Sequence, residues 1–557
     1  MGAGEPPILS VISLLIIYTK RSEGERTAVC AASMDLSPFL ALLPIALLSL
    51  VFFFSTGRRA TLSHGDGRRS LPPSPPGFPL VGHLPLLGSL PHRTLRAMAG
   101  THGPVMLLRL GRVPIVVASS AAAAQEAMKA RDVAFSGRYR GPMVERLFYG
   151  CDMAFAPYGE HWRQARRVCV LHLLSQRCVL SFRRVRQQET AALLDRVRGA
   201  AGLGDAVNLS HLLVVYSSVV LLRAAFGFGN DDSSSGFDGE GKILRKLLVE
   251  AEELLGLGTL GEVVPWLAWV DSVRGVDAKA TRTFDALDGF LERGIADHRT
   301  RRRGGRREGD GGDDDDSRRS FVSVLLDVEE EEEAGGVRFD TVAVKAIILD
   351  MFLAGSSTTA SIVEWAMAEL INHPDEMRKL QEEIRTTIHD GSDNQITEDH
   401  LGNLCRLKPV LKETLRLHMP SPLVMRETVE DTELLGYHVP ACTRVIIDVG
   451  AIARDPATWE RAEEFLPERW FGDNGGGPLV AAAGPEFTFL PFGGGRRGCP
   501  GAGFGMASVD LVLTSLLYHF DWELPAGGAS MVDMEEVGGL AVRLKKPLCL
   551  VAKPWSP

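Results

Sequence analysis

The chain is poor in the pairings on which cysteine-rich proteins depend. Its eight cysteines, at positions 30, 151, 169, 178, 405, 442, 499 and 549, are scattered, with no C-x-x-C pair. That spacing fits neither a disulfide framework nor a zinc site, and it suits a reducing compartment. A basic excess is also lacking: 61 Lys and Arg against 70 Asp and Glu leave a net charge of −9. Nucleic acid is therefore excluded as the main partner, because phosphate binding needs a basic face. Long uncharged runs near the N-terminus are scarce as well. Residues 8–18 are apolar but too short to cross a bilayer, and they lack the basic lead of a signal peptide. Residues 36–54 are different: 19 positions without a charge, roughly 28 Å as a helix, against a hydrocarbon core of ~30 Å.

What is present sorts into an anchor, a spacer and one large body. We read 36–54 as a transmembrane anchor. A removed signal sequence is the rival, but the run exceeds the usual apolar region and no small-residue cleavage site closes it. Arg58, Arg59, Arg68 and Arg69 follow the span and assign that side to the cytosol, while Lys20, Arg21 and Arg26 before it blur the bias. A start at Met34 would remove the ambiguity, so residues 1–33 are read as an upstream extension. Finding them by N-terminal sequencing of the native protein would refute this. Residues 55–85 form a basic, proline-rich hinge, in which the stretch from Leu71 to Pro79 is a stiff polyproline spacer. Phe78, Leu80, Val81 and Leu84 are expected to pack. Residues 86–557 form a single large domain, mainly α with small β-sheets.

Within that body, 105–118 reads as a hairpin around Gly111-Arg112, and 121–129 as helical. A helix then carries Trp162 and Arg166 at i, i+4. An indole N–H beside a guanidinium could bind a carboxylate, although from this segment alone a solvated basic face is the favoured reading. Residues 185–300 are mostly amphipathic helix, including 243–255. The charge blocks within 299–336 cannot bury apolar surface and read as a flexible loop. The sequon Asn208-Leu209-Ser210 matters only in a lumenal chain and is discounted.

Residues 340–373 form a long helical pattern, capped by Asp340 and stopped by Pro374. It is apolar nearly all round and should cross the core. Its middle reads Ala354-Gly355-Ser356-Ser357-Thr358-Thr359, small enough for a ligand to approach the backbone. A close helix crossing would explain Ala-Gly but not four hydroxyls in a row. Glu413 and Arg416 stand at i, i+3; if buried, the pair needs another partner, and Arg469 is available. Residues 445–449 read as a short strand.

Near the C-terminus comes Phe492-Gly493-Gly494-Gly495-Arg496-Arg497-Gly498-Cys499-Pro500-Gly501, directly before a helical pattern. A thiol at a helix start is favoured as thiolate by the helix dipole and free N–H groups. Glycines let the backbone approach something flat, Phe492 offers an apolar wall, and Arg497 suits a carboxylate. These are the parts of a thiolate ligand to haem iron. Gly493, Gly495 and Gly498 also satisfy the dinucleotide fingerprint, but no βαβ unit follows. A buried structural cysteine is the plainer alternative.

Taken in order, these stretches closely resemble the cytochrome P-450 superfamily of haem-thiolate monooxygenases, over roughly 70–557. Phe492, Gly495, Arg497, Cys499 and Gly501 fit its F-x-x-G-x-R-x-C-x-G loop. Glu413 and Arg416 fit its E-x-x-R helix, Arg469 its third triad member, and 354–359 its oxygen-activating stretch. The anchor, the hinge, Trp162-Arg163 and Pro467-Glu468-Arg469-Trp470 look like the plant microsomal A-type group. The resemblance implies haem b with Cys499 on the iron. It makes Trp162, Arg166, Arg426 and Arg497 candidates for the haem propionates, and gives Thr358 a proton-orienting role. It implies electrons from NADPH through a cytochrome reductase, a monomer in the endoplasmic reticulum membrane with its catalytic domain cytosolic, and a small hydrophobic substrate. A pocket lined from 138–155, the helix centre, 421–425 and 537–540 leaves indole-derived, oxime and terpenoid metabolites open.

One departure stands out. The family usually has Asp or Glu just before the threonine, where this chain has Ser357. A serine holds water or passes a hydroxyl proton but cannot store one, so Ser357→Asp is expected to raise product per NADPH. A haem-thiolate isomerase or dehydratase acting without reductase is the alternative reading. A catalytically silent haem- or lipid-binding membrane protein is the third.

Overall fold

The apolar stretch between Asp340 and Pro374 folds as the central helix. In the computed structural model, which describes residues 70–227, 236–305, 320–331, 339–388, 396–471, 487–528 and 530–555, it spans Thr341–Asn372. Asp340 caps it, its carboxylate accepting from the Ala343 N–H at 3.0 Å. At the other end His373 leaves helical geometry, as a residue before proline tends to do. The expected extension at 1–33, the anchor at 36–54 and the hinge as far as residue 69 lie outside the described residues.

The architecture is mainly helical with small sheets. In chain order the elements around the centre are β1 (Val105–Leu110), β2 (Val113–Ala118), α1 (Glu160–Val168), α2 (Arg183–Leu203) and α3 (Leu209–Phe226). Then come α4 (Gly236–Leu257), α5 (Val276–Gly305), α6 (Phe321–Glu331), α7 (Thr341–Asn372) and α8 (Leu407–Leu417). Strands β3 (Leu423–Glu427), β4 (Arg444–Asp448), β5 (Glu536–Val537) and β6 (Arg543–Leu544) follow, with α9 (Ala502–His519) lying between β4 and β5. The expected hairpin is β1–β2, in register from Val105 opposite Ala118. Its turn needs glycine: Gly111 has φ +57°, and a Cβ there would stand 1.8 Å from the Val263 carbonyl oxygen. The hairpin belongs to a four-stranded sheet in the order β1–β2–β4–β3, with β2 parallel to β4 and β3 antiparallel to it.

By length and composition α3 and α7 could each cross a membrane, yet 67% and 78% of their most apolar windows are buried. They are core helices packed on each other. A Cβ on Gly355 would come within 2.8 Å of the Leu221 side chain, so the close-crossing explanation of that glycine is correct. Asn208, of the discounted sequon, caps α3 by accepting from the His211 N–H at 3.0 Å.

Two expectations are corrected. The charged segment 299–336 is not one loop. Helix α5 continues to Gly305, and Phe321–Glu331 forms α6, because Phe321, Val322, Leu325 and Leu326 bury an apolar face. Arg299 reaches Glu329 at 2.8 Å, and Arg302 reaches Asp327 at 2.6 Å, tying the two helices together. Residues 306–319 and 332–336 are outside the described residues. In the hinge, the proline stretch docks on the sheet, the Pro73 carbonyl accepting from the Leu107 N–H at 2.8 Å. Phe78 and Leu80, expected to pack, are 40% and 62% exposed.

Candidate active site

The cysteine loop is held by its own backbone. The Gly493 N–H donates to Leu490, Gly498 to Gly495, and Cys499 to the Phe492 carbonyl at 2.9 Å. Gly495 has φ +65°, and a Cβ on it would lie 2.2 Å from the Met128 carbonyl oxygen; no other residue fits. At Gly501, φ is −88° and a Cβ would meet nothing, so the protein itself makes no demand for glycine there. Phe492 packs at the edge of the core. Cys499 is exposed between the buried Arg497 and Ala502. Surrounding protein pushes its thiol up, while N–H groups of Gly501 and Ala502 and the charge of Arg166 push it down. In the protein alone the net direction is upward, away from the thiolate that the N–H groups at the helix start favour. A bound metal ion would restore it, since a coordinating thiol is deprotonated outright. Among the described residues no cluster of three or more His, Cys, Asp or Glu could hold a metal. A haem iron on Cys499 would bring its other ligands in the macrocycle.

Glu413, Arg416 and Arg469 come together as expected. Glu413 and Arg416 have no exposed side-chain surface. Arg416 binds Glu413 through two nitrogens at 2.9 and 2.8 Å, and Arg469 adds a bond at 2.9 Å. The Trp470 indole, whose part the sequence did not reveal, donates to the other carboxylate oxygen at 2.8 Å.

A second group of arginines is arranged differently. Arg497 donates to the carbonyls of Ser136, Met153 and Ala156 at 2.9, 3.3 and 2.8 Å. Arg166 donates to Gly498 at 2.8 Å, and Arg426 weakly to Met425 and Gly494 at 3.2 and 3.3 Å. Arg138, which sequence reasoning missed, donates to the Met425 carbonyl. Burial and mutual repulsion push Arg497 down to about 9, Arg138 to about 10, and Arg426 well below its ordinary value. Asp152 is the carboxylate acting on Arg138 and Arg497. Trp162 is in the group, but its indole N–H is committed to the Met153 carbonyl at 2.9 Å. Its ring lies under Arg497, at 4.0 Å, and Arg166, at 5.7 Å. The ring braces both cations. The Met153 backbone is fixed in turn by Asp350 on α7, at 2.6 Å.

The centre of α7 opens where the rest of the helix is closed. Ala354 is exposed and Thr358 half-exposed, between buried neighbours. The Thr358 hydroxyl donates to the Ala354 carbonyl at 2.6 Å, leaving its lone pairs outward. Ser357 is buried and its hydroxyl has no partner. A Cβ on Gly505, in the first turn of α9, would lie 3.5 Å from the Thr359 hydroxyl, so the hydroxyl stretch and the start of the Cys499 helix border one interior. Of the expected pocket segments, 138–155 and 421–425 meet where Arg138 reaches Met425; beside the others, Ser361 donates to Val542 at 2.9 Å, and the Val542 N–H donates to Pro420 at 2.8 Å. An accessible thiol, a glycine with open space beside it and cations short of counter-charge fit haem and its two carboxylates.

A mainly helical body with an accessible thiol in a glycine-rich loop before a helix fits the haem-thiolate class, and the comparisons give the family. The Cytochrome P450 profile matches residues 72–550. The chain is 44% identical over 478 residues to Cytochrome P450 71A1 of Persea americana, covering 85% of this chain and 91% of that protein. It is 39% identical over 525 residues to a phenylacetaldehyde oxime monooxygenase of Prunus mume, covering 93% and 95%. A zebra fish cytochrome P450 solved with progesterone superposes with TM-score 0.69 at 22% identity, covering 83% and 99%. The chain belongs to the cytochrome P450 family. It is a plant-type haem-dependent monooxygenase.

Proposed function

We propose that this enzyme inserts one atom of O2 into a small hydrophobic plant specialised metabolite, with electrons from NADPH delivered by a cytochrome reductase. The observation that carries the reading is the accessible Cys499 beside four arginines that outnumber the carboxylate acting on them. In this reading Cys499 ligates the iron. Arg497, Arg426, Arg166 and Arg138 hold the haem carboxylates, with Trp162 bracing them. Phe492, Gly495 and Gly501 shape the cradle, and Thr358 orients protons. When bound, the haem supplies the oxygen activation, favoured by thiolate donation. The protein's part is to exclude bulk water, hold the substrate and time the protons.

Indole-derived, oxime and terpenoid substrates all suit the mostly apolar segments around the α7 centre, and the name of the Prunus mume relative supports the oxime class. A single-pass attachment at the endoplasmic reticulum, with the catalytic domain cytosolic, is supported by exposed apolar residues. Phe78 and Leu80 flank Gly82, which bridges to Leu110 beside the β1–β2 turn. Arg112 in that turn bonds Val263 at 3.1 Å, shortly before Trp266, Trp269 and Val273, which are 49%, 63% and 78% exposed. Serine at 357 favours one second reading, an isomerase or dehydratase that needs no reductase.

The test is the carbon monoxide difference spectrum of the reduced protein, followed by substrate-induced shifts across a metabolite panel. The thiolate-ligated band is expected, and its absence would overturn the haem assignment. Turnover of a binding metabolite that requires NADPH and reductase supports the monooxygenase. Turnover without them supports the second reading.

A further inference from the structure

The hydroxyl of Ser357 is buried, 3% exposed, and without a hydrogen-bond partner, a costly state for an O–H group. Its neighbourhood contains a second anomaly. On α4, Leu244, Leu248, Ala251 and Leu254 make an apolar stripe at helical spacing, and Glu252, only 8% exposed, lies on that buried side. Two contacts and one shared charge bring their helices to the same segment. Ser361, one turn beyond Ser357, is bonded to Val542. Gly256, one turn beyond Glu252, lies against the Gly539 backbone, a Cβ there standing 3.7 Å from it. Arg543, next to Val542, acts by its charge on both Glu252 and Glu364 of α7. Helix α4, helix α7 and the segment 539–543 thus share one corner. There the Ser357 hydroxyl is near enough to favour the ionised Glu252 carboxylate, though short of a seated hydrogen bond. Among the described residues no ion pair holds Glu252.

We propose that Glu252 supplies, from α4, the carboxyl that Ser357 lacks, storing a proton and passing it through the Ser357 hydroxyl toward Thr358. The idea rests on the monooxygenase reading. Glu252 acts through Ser357, as a positioning residue for protons. In the relay the Glu252 O–H bond breaks and its proton goes to the serine oxygen. The serine's own proton leaves to water on the Thr358 side, and the carboxylate regains one from solvent at its accessible edge. No electrons move in the relay; they come from NADPH. Burial raises the Glu252 carboxyl, opposed by the Ser357 hydroxyl and the Arg543 charge, so the acid form persists to higher pH than at the surface. Ser357→Asp alone would set two carboxyls side by side, raising one of them. The coupling gain expected from the sequence therefore moves to the double variant.

The experiment uses full-length haem-loaded protein with reductase, NADPH and O2 as the sole reactants, and reads water formed against hydrogen peroxide released. Glu252→Gln and Ser357→Ala are expected to lower that ratio about tenfold, less than a direct general acid would, because water takes over part of the relay. Glu252→Gln with Ser357→Asp should return it to within about twofold of wild type. An unchanged ratio in Glu252→Gln, or failure of the double variant to rescue while the carbon monoxide band stays intact, would overturn the proposal. The infrared carboxylic-acid band gives a readout independent of turnover. It should vanish in Glu252→Gln and shift in Ser357→Ala; a band indifferent to Ser357→Ala refutes the pairing. Should wild type consume no NADPH, the monooxygenase reading fails, and the infrared result alone decides whether Glu252 and Ser357 form a pair.

Discussion

Two groups of buried and half-buried arginines sit in this fold, and their charges are answered in different ways. Arg416 and Arg469 meet Glu413, whose oxygens also accept from the Trp470 indole and, at 3.0 Å, from the Leu466 N–H. The remaining N–H groups of Arg416 donate to the carbonyls of Ala453, Ala462 and Glu464. There the chain supplies its own counter-charge, and complete hydrogen bonding offsets desolvation. Arg138, Arg166, Arg426 and Arg497 rest on carbonyl dipoles and the Trp162 ring, and Arg138, Arg426 and Arg497 are each lowered by other members of the group. The first arrangement is architecture. The second has a net positive charge that the fold does not neutralise, which is the mark of a site for an anion.

The comparison can be broken by substitution, because removing charge should act with opposite sign in the two places. Glu413→Ala strands two buried cations and should cost about 3–5 kcal/mol, read as loss of folded protein in thermal unfolding with or without haem. Arg426→Leu removes a cation that is 3% exposed and poorly bonded. In haem-free protein it should raise stability by about 1–4 kcal/mol, as apolar replacement of a buried charge often does. In loaded protein it should speed haem loss to a myoglobin trap by tenfold or more, roughly the 1.4 kcal/mol that a single charge contact supplies at minimum. A destabilised haem-free Arg426→Leu would place that arginine with the architecture.

A pair of carboxyls sharpens the contrast, since here like charges are relieved by a proton. Asp350 is raised well above 3.8 by burial and by the charge of Asp152, and each carboxyl has an oxygen without a partner. A carboxyl with a raised folded pKa binds its proton more tightly in the native state. Its contribution is complete below pH 3.8 and is lost as pH rises from there through the folded value. Wild type should therefore lose up to about 1.4 kcal/mol per pH unit in that window relative to Asp350→Asn, measured by urea unfolding at a series of pH values. Parallel pH profiles would show that Asp350 ionises freely.

Much of the fold was legible in the sequence. The boundaries of α7 follow from Asp340 and Pro374, and the hairpin from Gly111, because those residues act on the backbone next to them. Cys499, Arg497 and the triad were legible as a spacing. What stayed hidden depends on contacts between distant segments. Arg138 and Trp470 are single residues with no local signature, and the Trp162 indole found a carbonyl at Met153 that no spacing reveals. Glu252 did carry a signal, a charge beside the apolar stripe of α4, but its meaning required knowing that α4 lies over Ser357. Helix α6 was obscured by acidic neighbours, although Phe321, Val322, Leu325 and Leu326 have helical spacing.

The smallest expected effect separates two glycines of one loop, and it carries the same distinction between the fold's needs and the ligand's. Gly495 is required by the chain: its φ of +65° disfavours any side chain, and a Cβ would press on the Met128 carbonyl. Gly495→Ala should destabilise haem-free and loaded protein alike, by about 1–3 kcal/mol for the backbone strain alone. Gly501 is free of both constraints, so Gly501→Ala should leave haem-free stability within about 0.5 kcal/mol of wild type. The added methyl would instead project into the space beside Cys499. Haem titration of the two haem-free variants, followed by the carbon monoxide band, should show Gly501→Ala folded but weakened in haem uptake. If Gly501→Ala bound haem as wild type does, the open space beside that glycine would not belong to the cradle, and the flat group would have to approach Cys499 from the Phe492 side.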